Sequence, residues 1–295
     1  MIECFAAMGT ADVGTPDGTA RLEAKRRRAE GMLRGRGRVV IALSGGVDSA
    51  ALLVLAREAL GAGSVLAATG CSDAVTPEDL ADAAAVAAHL GVEHAIVRTR
   101  EIERAGYRAN AGRRCFHCRT ELFEILKKLA RDRGFSAVAY GAIVDDLGDD
   151  RPGMEAAADL GILAPLVDAG IGKDEARAIV RSAGVGVHAK PASPCLASRI
   201  PAGTEVTPER LDQVRRAEAG LRELGFVVFR VRHHGEIARI ELGDGESRRL
   251  DDRGVRDEVV RRIRAAGYRY AALDLAGYVP PGPLYRIGPK RVSGQ

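Results

Sequence analysis

The segment SGGVDS combines residue types that can bind the phosphates of a nucleotide. Gly45 and Gly46 let the backbone turn tightly and bring its N–H groups close to a phosphate. Ser44 and Ser49 supply hydroxyl donors, and Asp48 can hold the Mg²⁺ that accompanies ATP. The Gly-Lys-Ser/Thr ending of a Walker A loop is missing. We therefore expect an ATP site of another kind; a plain Gly-rich turn between a strand and a helix is the alternative.

Three of the five cysteines are candidates for shared chemistry. Cys115 and Cys118 form a C-x-x-C pair in RRCFHC, and Cys195 lies in the Pro-rich segment SPCLASR. The three could form a zinc site with His117 as the fourth ligand, or the pair could be a redox dithiol. They could also hold an iron–sulfur cluster with one iron left open to carry a sulfide. The coincidence of the C-x-x-C pair with a third cysteine and an ATP-binding segment in one chain favours the cluster, and the other interpretations stay open.

Strands and helices alternate through the first half of the chain, which predicts a parallel sheet with helices on both faces. The phosphate-binding segment follows the first strand and opens a helix, whose N-terminus favours anions. The Gly- and Asp-rich stretch Gly141–Gly153 is predicted to be a loop at a strand end, where such sheets bind ligands. The predicted strands are Val39–Ser44, Ser64–Thr69, His94–Arg98 and Ser136–Tyr140, and the predicted helices include Pro77–Leu90 and Cys115–Arg133.

The second half of the chain predicts a smaller α+β domain. Two strands joined by a short His-His-Gly turn are enclosed by helices, and a last strand, YRYAALDL, follows. The predicted elements are helices Lys173–Ala183, Pro208–Leu224 and Ser247–Ala265, and strands Phe226–Arg232 and Glu236–Leu242.

Composition excludes several classes of protein. The chain is 46% hydrophobic and 28% charged, which is typical of globular proteins, and its net charge is +4. This small excess favours anionic ligands and does not indicate a nucleic-acid binder. No apolar run could cross a membrane and no signal peptide is evident, so we expect a cytoplasmic protein. Cys4 and Cys71 are interpreted as structural thiols, and the basic run Arg21–Arg38 as a solvated helix face.

Five sequence blocks together resemble one family. SGGVDS resembles the pyrophosphate loop of the PP-loop ATP pyrophosphatases, which cleave ATP between its α- and β-phosphates. With this block, NAGRRCFHCRTELF, GAIVDDLGDDRPGMEAA, PASPCLASRIPAG and FRVRHHGEIARIE resemble, in order and spacing, the LarE family of sulfur transferases. That family helps to build the nickel-pincer nucleotide cofactor of lactate racemase. The resemblance extends from Val39 to Leu242.

The resemblance implies a reaction in two stages. The enzyme would adenylate a carboxylate of pyridinium biscarboxylate mononucleotide, a nicotinate-derived mononucleotide, and a sulfur nucleophile would then displace AMP. In one branch of the family a single cysteine, matched here by Cys195, gives up its own sulfur and becomes dehydroalanine. In the other branch three cysteines hold a [4Fe-4S] cluster that carries sulfide. Cys115, Cys118 and Cys195 match all three, so we expect the cluster and an external sulfide donor.

Four further residues match positions that line the family's substrate site. Arg230 and Arg232 alternate along one strand and would share one face. Two guanidinium groups on one face suit a phosphate, and the matching arginines bind the substrate's phosphate in the family. The alternative is an exposed basic face. Ser198 and Arg199 follow Cys195 and are expected to line the site.

Four acidic residues also match the family. Glu218 and Glu241 match positions near the substrate, although solvated carboxylates of a helix and a strand are an equal interpretation. Asp145 and Asp146 match a pair beside the active site. Ile143-Val144 stands before that pair, where the family pattern leads us to expect Asn-Ala.

The resemblance also divides the chain. Residues 1–20 are expected to be a disordered leader, 21–165 the PP-loop domain, 166–206 a connecting segment with the cysteine loop, and 207–295 a small α+β domain for substrate and oligomerisation. A homo-oligomer is expected, with a hexamer as the assembly that the family suggests. No nucleic-acid or membrane partner is expected.

Three other functions are weighed against this one. A tRNA thiolase shares the PP-loop and often a C-x-x-C pair, but it usually has an additional RNA-binding domain or a stronger basic field. An amide-forming synthetase needs a source of ammonia and no clustered cysteines. A zinc-stapled ATP-binding module would bind ATP without releasing pyrophosphate.

Overall fold

The computed structural model describes residues 15–147, 152–190 and 194–279. They fall into two compact units, one within Met1–Glu101 and Arg113–Pro191, the other within Ile102–Gly112 and Ala192–Gln295. The division differs from the expected one in two ways. The first unit continues well beyond residue 165, and the second unit takes a short segment from the middle of the first half.

The first unit is built on a four-stranded parallel sheet, as the alternating pattern predicts. Its strand order is β3-β2-β1-β4. Both faces are buried: Val39 and Ile41 face one apolar core, and Val40 and Ala42 face the other. Such burial explains why these strands are apolar without alternation. The strands are β1 Val39–Ala42, β2 Val65–Cys71, β3 Glu93–Arg98 and β4 Ala137–Tyr140.

Helices cover both faces of this sheet. Apolar residues of α1, α2, α3 and α8 fill one core, and those of α5 and α6 fill the other. The helices described in the first unit are α1 Pro16–Arg34, α2 Val47–Leu60, α3 Pro77–His89, α5 Arg114–Asp132, α6 Pro152–Asp159, α7 Pro165–Asp168 and α8 Lys173–Ser182. Those described in the second unit are α4 Ala105–Arg108, α9 Pro208–Glu223 and α10 Arg253–Ala265. None of the helices in the described ranges is both long and apolar enough to cross a membrane.

Helix α1 begins inside the segment expected to be a leader. The Thr15 side chain accepts a hydrogen bond from the Gly18 N–H, and Pro16 occupies the first helical position. Residues 1–14 of that leader, with Cys4, lie outside the described residues. The basic run is not wholly solvated, because the Lys25 ammonium lies 2.6 Å from a carboxylate oxygen of Glu175 on α8, and both side chains are largely buried.

The strand order reverses beside β1, and this places two loops together at the carboxyl edge of the sheet. The loop after β1 holds the SGGVDS segment, and the loop after β4 starts at Gly141. A Cβ atom on Gly141 would lie 2.6 Å from the Ser49 nitrogen and 2.7 Å from the Asp48 carbonyl. The two loops are therefore in backbone contact. In the predicted 141–153 loop, Val144–Asp146 form a 3-10 turn, and residues 148–151 lie outside the described part of the chain.

The second unit contains a three-stranded mixed sheet, β5 Phe229–His234, β6 Ile237–Leu242 and β7 Tyr270–Leu273. Strands β5 and β6 are antiparallel, and β6 and β7 are parallel. One face packs on α9 and α10 through an apolar core that includes Val231 and Ile240. The other face carries Arg230, Arg232 and Glu241.

Two predicted boundaries shift in this unit for local reasons. The predicted strand from Phe226 starts only at Phe229, because the N–H groups of Val227 and Val228 donate to the Glu246 carboxylate instead of to a neighbouring strand. The predicted helix from Ser247 starts at Arg253, because Asp252 caps it by accepting from the Val255 N–H.

Asn110 explains why residues 102–112 belong to the second unit. Its backbone has a positive φ of 50°, a conformation that Asn tolerates better than most residues. Its buried side-chain amide nitrogen lies 3.3, 2.8 and 3.0 Å from the carbonyl oxygens of Ile200, Pro201 and Thr204. One side chain thus attaches this segment to the loop that follows Cys195.

The Lys25–Glu175 pair should contribute strongly to the stability of the first unit. Glu175→Ala leaves the largely buried Lys25 ammonium without its carboxylate, and we expect the free energy of unfolding to fall by about 3 kcal/mol. Asp132→Ala removes the carboxylate of an exposed pair with Lys128 and should cost no more than about 0.5 kcal/mol. Urea unfolding followed by circular dichroism measures both. Equal effects of the two substitutions would contradict the prediction.

Candidate functional site

The SGGVDS segment forms a compact loop whose hydroxyl groups bond within it. The Ser49 hydroxyl donates to the Gly46 carbonyl at 3.0 Å and accepts from the Ser44 N–H at 3.1 Å. The Ser44 hydroxyl lies 3.1 Å from the Ser49 hydroxyl and, since the Ser49 proton is engaged, donates to it. The serines therefore shape the loop, and their donation to a phosphate stays a prediction. No side chain caps α2 at Gly46, which leaves the backbone N–H groups of its first turn for an anion.

Gly45 is buried at a position where no other residue fits. Its φ is 73°, in the left-handed region that favours glycine. A Cβ atom here would lie 2.5 Å from the Asp79 carbonyl oxygen and 3.0 Å from the Ala83 nitrogen, both on α3. The loop backbone therefore rests directly on α3, and this contact requires the glycine.

Asp48 is surrounded by one cation and two further carboxylates. The Lys173 ammonium donates to both Asp48 oxygens, at 2.8 and 2.9 Å. Burial raises the pKa of Asp48 despite the opposing effect of Lys173, and the charges of Asp145 and Asp146 raise it further. The structure thus brings the predicted Asp145–Asp146 pair to the predicted magnesium ligand.

The aspartate pair is itself fixed by backbone groups. Asp145 accepts from the Lys173 N–H at 2.9 Å, and Asp146 accepts from the Ile143 N–H at 3.1 Å. The family pattern leads us to expect Asn-Ala where this chain has Ile143-Val144. Of these two residues, Ile143 is buried in the apolar core. Val144 is half-buried.

Sequence reasoning missed Lys173, and one signal could have found it. Lys173 is the first residue of α8, where the helix macrodipole disfavours a cation. A lysine at that position needs carboxylate partners, and the chain offers an Asp-Asp motif and an aspartate in the phosphate loop. Asp48 and Asp145 provide them, through the ammonium and the backbone N–H respectively.

In the second unit, Arg199 holds the turn that carries Cys195. Its guanidinium donates to the carbonyls of Pro194 and Cys195, at 2.5 and 3.3 Å, and to the Ser198 hydroxyl at 3.0 Å. On its other side it forms a two-point pair with Glu218, at 2.9 and 3.3 Å. Arg199 and Glu218 are both buried, so the alternative of a solvated Glu218 is wrong.

A second arginine–carboxylate pair supports the same turn. Arg232 pairs with Glu241 at 2.9 and 3.2 Å and donates to the Ser198 carbonyl at 2.9 Å. Glu241 is fully buried and also accepts from Arg239, so it is not a solvated strand carboxylate either. Two independent guanidinium–carboxylate pairs therefore fix the chain on both sides of Cys195.

Arg230 differs from these arginines because its partners are neutral. It is 3% exposed and donates to the Tyr278 hydroxyl at 3.0 Å and to the Val279 carbonyl at 3.3 Å. Burial lowers the pKa of Arg230, and the charges of Arg199 and Arg232 lower it further, against the opposing effects of Tyr278 and Glu241. The alternative of an exposed basic face is wrong. A buried guanidinium with neutral partners beside two others suits an anion such as a phosphate.

The cysteines are divided between the units. Cys115 and Cys118 occupy the first turns of α5 in the first unit, Cys115 exposed and Cys118 half-buried, and the half-buried Cys195 belongs to the second. Cys71, at the end of β2, is half-buried as well. In the part of the chain that the structure describes, no group of three His, Cys, Asp or Glu side chains is placed to hold a metal ion.

Comparisons with known proteins match both units. Residues 31–140 match the NAD synthase family. The chain is 34% identical over 259 residues to the pyridinium-3,5-bisthiocarboxylic acid mononucleotide synthase of Lactiplantibacillus plantarum, which covers 88% of this chain and 93% of that protein. It is 41% identical over 250 residues to an uncharacterized protein of Synechocystis, covering 85% and 92% of the two chains. An uncharacterized protein of Methanocaldococcus jannaschii is 27% identical over 245 residues, with 82% and 90% covered.

The contact between Gly45 and α3 predicts the effect of a single methyl group. Gly45→Ala places a Cβ against the Asp79 carbonyl and strains the backbone, so the loop must shift and the affinity for ATP should fall by about tenfold or more. Gly63→Ala is the matched control, because a Cβ there meets nothing within 4 Å. Calorimetric titration with Mg-ATP compares the variants. Unchanged ATP affinity in Gly45→Ala would show that the loop does not bind the nucleotide.

Proposed function

Because this chain belongs to the LarE family of sulfur transferases, the pyridinium-3,5-bisthiocarboxylic acid mononucleotide synthases, we propose that it sulfurates the carboxylates of a nicotinate-derived mononucleotide at the expense of ATP. One observation carries the proposal: 34% identity extends over 88% of the chain and so includes both units. The chain is an ATP-dependent sulfurtransferase. Its substrate would be pyridinium-3,5-biscarboxylic acid mononucleotide, and two rounds would yield the bisthiocarboxylate of the nickel-pincer nucleotide.

The first unit performs the activation in this proposal. The backbone N–H groups at the start of α2 bind the pyrophosphate of ATP. A substrate carboxylate oxygen attacks the α-phosphorus, the bond to the β-phosphate bridging oxygen breaks, and pyrophosphate leaves with the electron pair. The carboxylate becomes a mixed anhydride with AMP, and AMP is a good leaving group for the next step.

Asp48 is the residue that would hold Mg²⁺. The Lys173 ammonium bridges the two Asp48 oxygens, where a metal ion would bind. Asp145 and Asp146 add negative potential at the same place. This oxygen-rich, cation-bearing arrangement fits a magnesium ion, which would neutralise phosphate charge. With Mg²⁺ on Asp48, the Lys173 ammonium would be available to the phosphates, where its positive charge would stabilise the negative charge that develops on the leaving pyrophosphate.

The second unit binds the substrate and presents the sulfur in this proposal. Arg230 and Arg232 bind the substrate's phosphate, and Glu218 and Glu241 keep Arg199 and Arg232 oriented. A sulfur nucleophile attacks the acyl carbon of the adenylate, the bond from that carbon to the AMP oxygen breaks, and a thiocarboxylate remains. Ser198 and Arg199 hold the Cys195 turn in one conformation during this exchange.

We assign the sulfur to a [4Fe-4S] cluster held by Cys115, Cys118 and Cys195. The donor set supports this assignment, because cysteine thiolates are the usual ligands of such clusters and three of them would leave one iron open for a sulfide. The C-x-x-C pair lies on one helical turn, with Cys115 exposed. The cluster would carry the sulfide that replaces oxygen, and an external sulfide donor would renew it. Homo-oligomeric assembly, as a hexamer, belongs to the same proposal.

Cys195 and Asp48 should separate the two stages. Cys195→Ala leaves the ATP loop intact, so substrate-dependent pyrophosphate release should continue while thiocarboxylate formation is abolished. Asp48→Asn removes the negative charge of the proposed magnesium ligand, and both products should fall by at least about a hundredfold. Pyrophosphate is assayed by coupled phosphate release and the thiocarboxylate by mass spectrometry. Full sulfur transfer by Cys195→Ala would refute the assigned role of Cys195.

Metal and sulfide analysis tests the cluster. Protein purified without oxygen should contain iron and acid-labile sulfide in a cluster ratio, with the matching absorption, and Cys115→Ala or Cys118→Ala should lose both. Cys71→Ala is the matched control and should retain them. Zinc in place of iron would make the pair a structural site. A protein without metal, whose Cys195 becomes lighter by the mass of hydrogen sulfide after one turnover, would identify Cys195 as the sulfur source.

A further inference from the structure

Lys190 is a half-buried lysine whose ammonium faces the back of the ATP-binding loop, and none of the motifs above includes it. It lies in the first unit, after α8. Its Nζ atom lies 2.8 Å from an Asp79 carboxylate oxygen, 2.5 Å from one of Asp82 and 3.3 Å from the Gly45 carbonyl oxygen. An ammonium group has three protons, and here each has one acceptor. Lys190 therefore has no proton left to donate to a phosphate.

The contact with Gly45 sets the direction of a neighbouring N–H group. In a planar trans peptide the carbonyl of Gly45 and the N–H of Gly46 point in opposite directions. When Lys190 holds that carbonyl, the Gly46 N–H must point away from Lys190, Asp79 and Asp82. Gly46 is the cap residue of α2, and it is half-buried where Gly45 is fully buried. This N–H thus faces the side on which the loop can receive an anion.

The same ammonium compensates an unfavourable charge. Asp79 and Asp82 lie on the first two turns of α3, directly behind a loop that binds an anion. Without a cation between them, their charges would repel the phosphates of ATP. Burial alone would lower the pKa of Lys190, but hydrogen bonds with both aspartates outweigh burial and raise it. Lys190 therefore stays charged at neutral pH.

We propose that Lys190 is a positioning residue for the pyrophosphate part of ATP, which orients the Gly45–Gly46 peptide toward the phosphates and screens the two carboxylates behind it. The proposal rests on the proposed function only in requiring that ATP bind at this loop. It assigns Lys190 no contact with the nucleotide. Its effect should be confined to ligands that contain pyrophosphate and should spare AMP.

The test compares the binding of three ligands, Mg-ATP, magnesium pyrophosphate and AMP, by isothermal titration calorimetry. Lys190→Met keeps the length of the side chain and removes its charge and donors. We expect its affinity for ATP and for pyrophosphate to fall by about tenfold or more, with the affinity for AMP unchanged. Lys128→Met, which removes an exposed lysine on α5, should bind all three ligands as the wild type does.

A second variant protects the test against misfolding of the first. Lys190→Arg retains the positive charge, but its planar guanidinium cannot direct three protons to the same three acceptors. We expect it to unfold at the wild-type temperature and to lose several-fold in pyrophosphate affinity, with AMP binding again unchanged.

Three outcomes would overturn the proposal. Wild-type pyrophosphate affinity in both variants would show that the Gly45 contact does not orient the loop. An equal loss of AMP and ATP affinity would show that Lys190 has only a structural role. Failure of the wild-type protein to bind ATP would refute the proposed function and this inference together, whereas the first two results leave the proposed function intact.

Discussion

A charge that is removed from water loses free energy of solvation unless an opposite charge or hydrogen bonds replace the water, and this constraint organises both units of the protein. In the first unit, Glu175 receives the ammonium of Lys25, and Asp48 receives that of Lys173. In the second, Glu218 and Glu241 receive the guanidinium groups of two arginines. The two pairs of the first unit join elements that are more than a hundred residues apart, and those of the second unit join the cysteine turn to α9 and to the β5–β6 hairpin.

The pairs at the two functional loops differ in what they can do. Glu218 and Glu241 are saturated by arginines that also hold the turn of Cys195, so they suit a fixed support. The pair of Asp48 with Lys173 is partly exposed, with side-chain exposures of 27% and 30%. A less buried pair is easier to exchange for a metal ion and a phosphate. The exchangeable cation beside the nucleotide loop suits the adenylation stage of the proposed reaction. The rigid support of the Cys195 turn suits the sulfur-transfer stage.

Topology explains the place of the nucleotide loop. The chain runs β1, β2, β3 outward and then returns to place β4 on the other side of β1. The loops after β1 and β4 therefore meet, and the close approach of Gly141 to the Asp48–Ser49 peptide is the direct result. Gly45 packs on α3 in the same way. Both glycines are required by backbone contacts between segments that no local pattern connects.

Much of the fold followed from local patterns. Apolar runs between turn residues predicted the four parallel strands, and Thr76-Pro77 and Thr207-Pro208 predicted the starts of α3 and α9. Side-chain hydrogen bonds to the backbone explain the boundaries that shifted. Asp252, for example, caps α10 at Arg253, although the sequence pattern predicted that this helix begins at Ser247. Residue type and spacing nominated the candidate residues. The hydrogen bonds by which Ser44 and Ser49 shape the loop were not predicted, because residue type does not show where a hydroxyl group points.

The sequence by itself determined the α/β class, the ATP-binding loop, the C-x-x-C pair and the family resemblance, because these depend on residue types at short spacing. Only the tertiary structure decided that Arg230, Glu218 and Glu241 are buried, and that Lys173 and Lys190 contact residues of the SGGVDS loop. Burial and pairing arise when elements distant in sequence pack together. A strand or helix pattern shows which residues share a face, but not what covers that face.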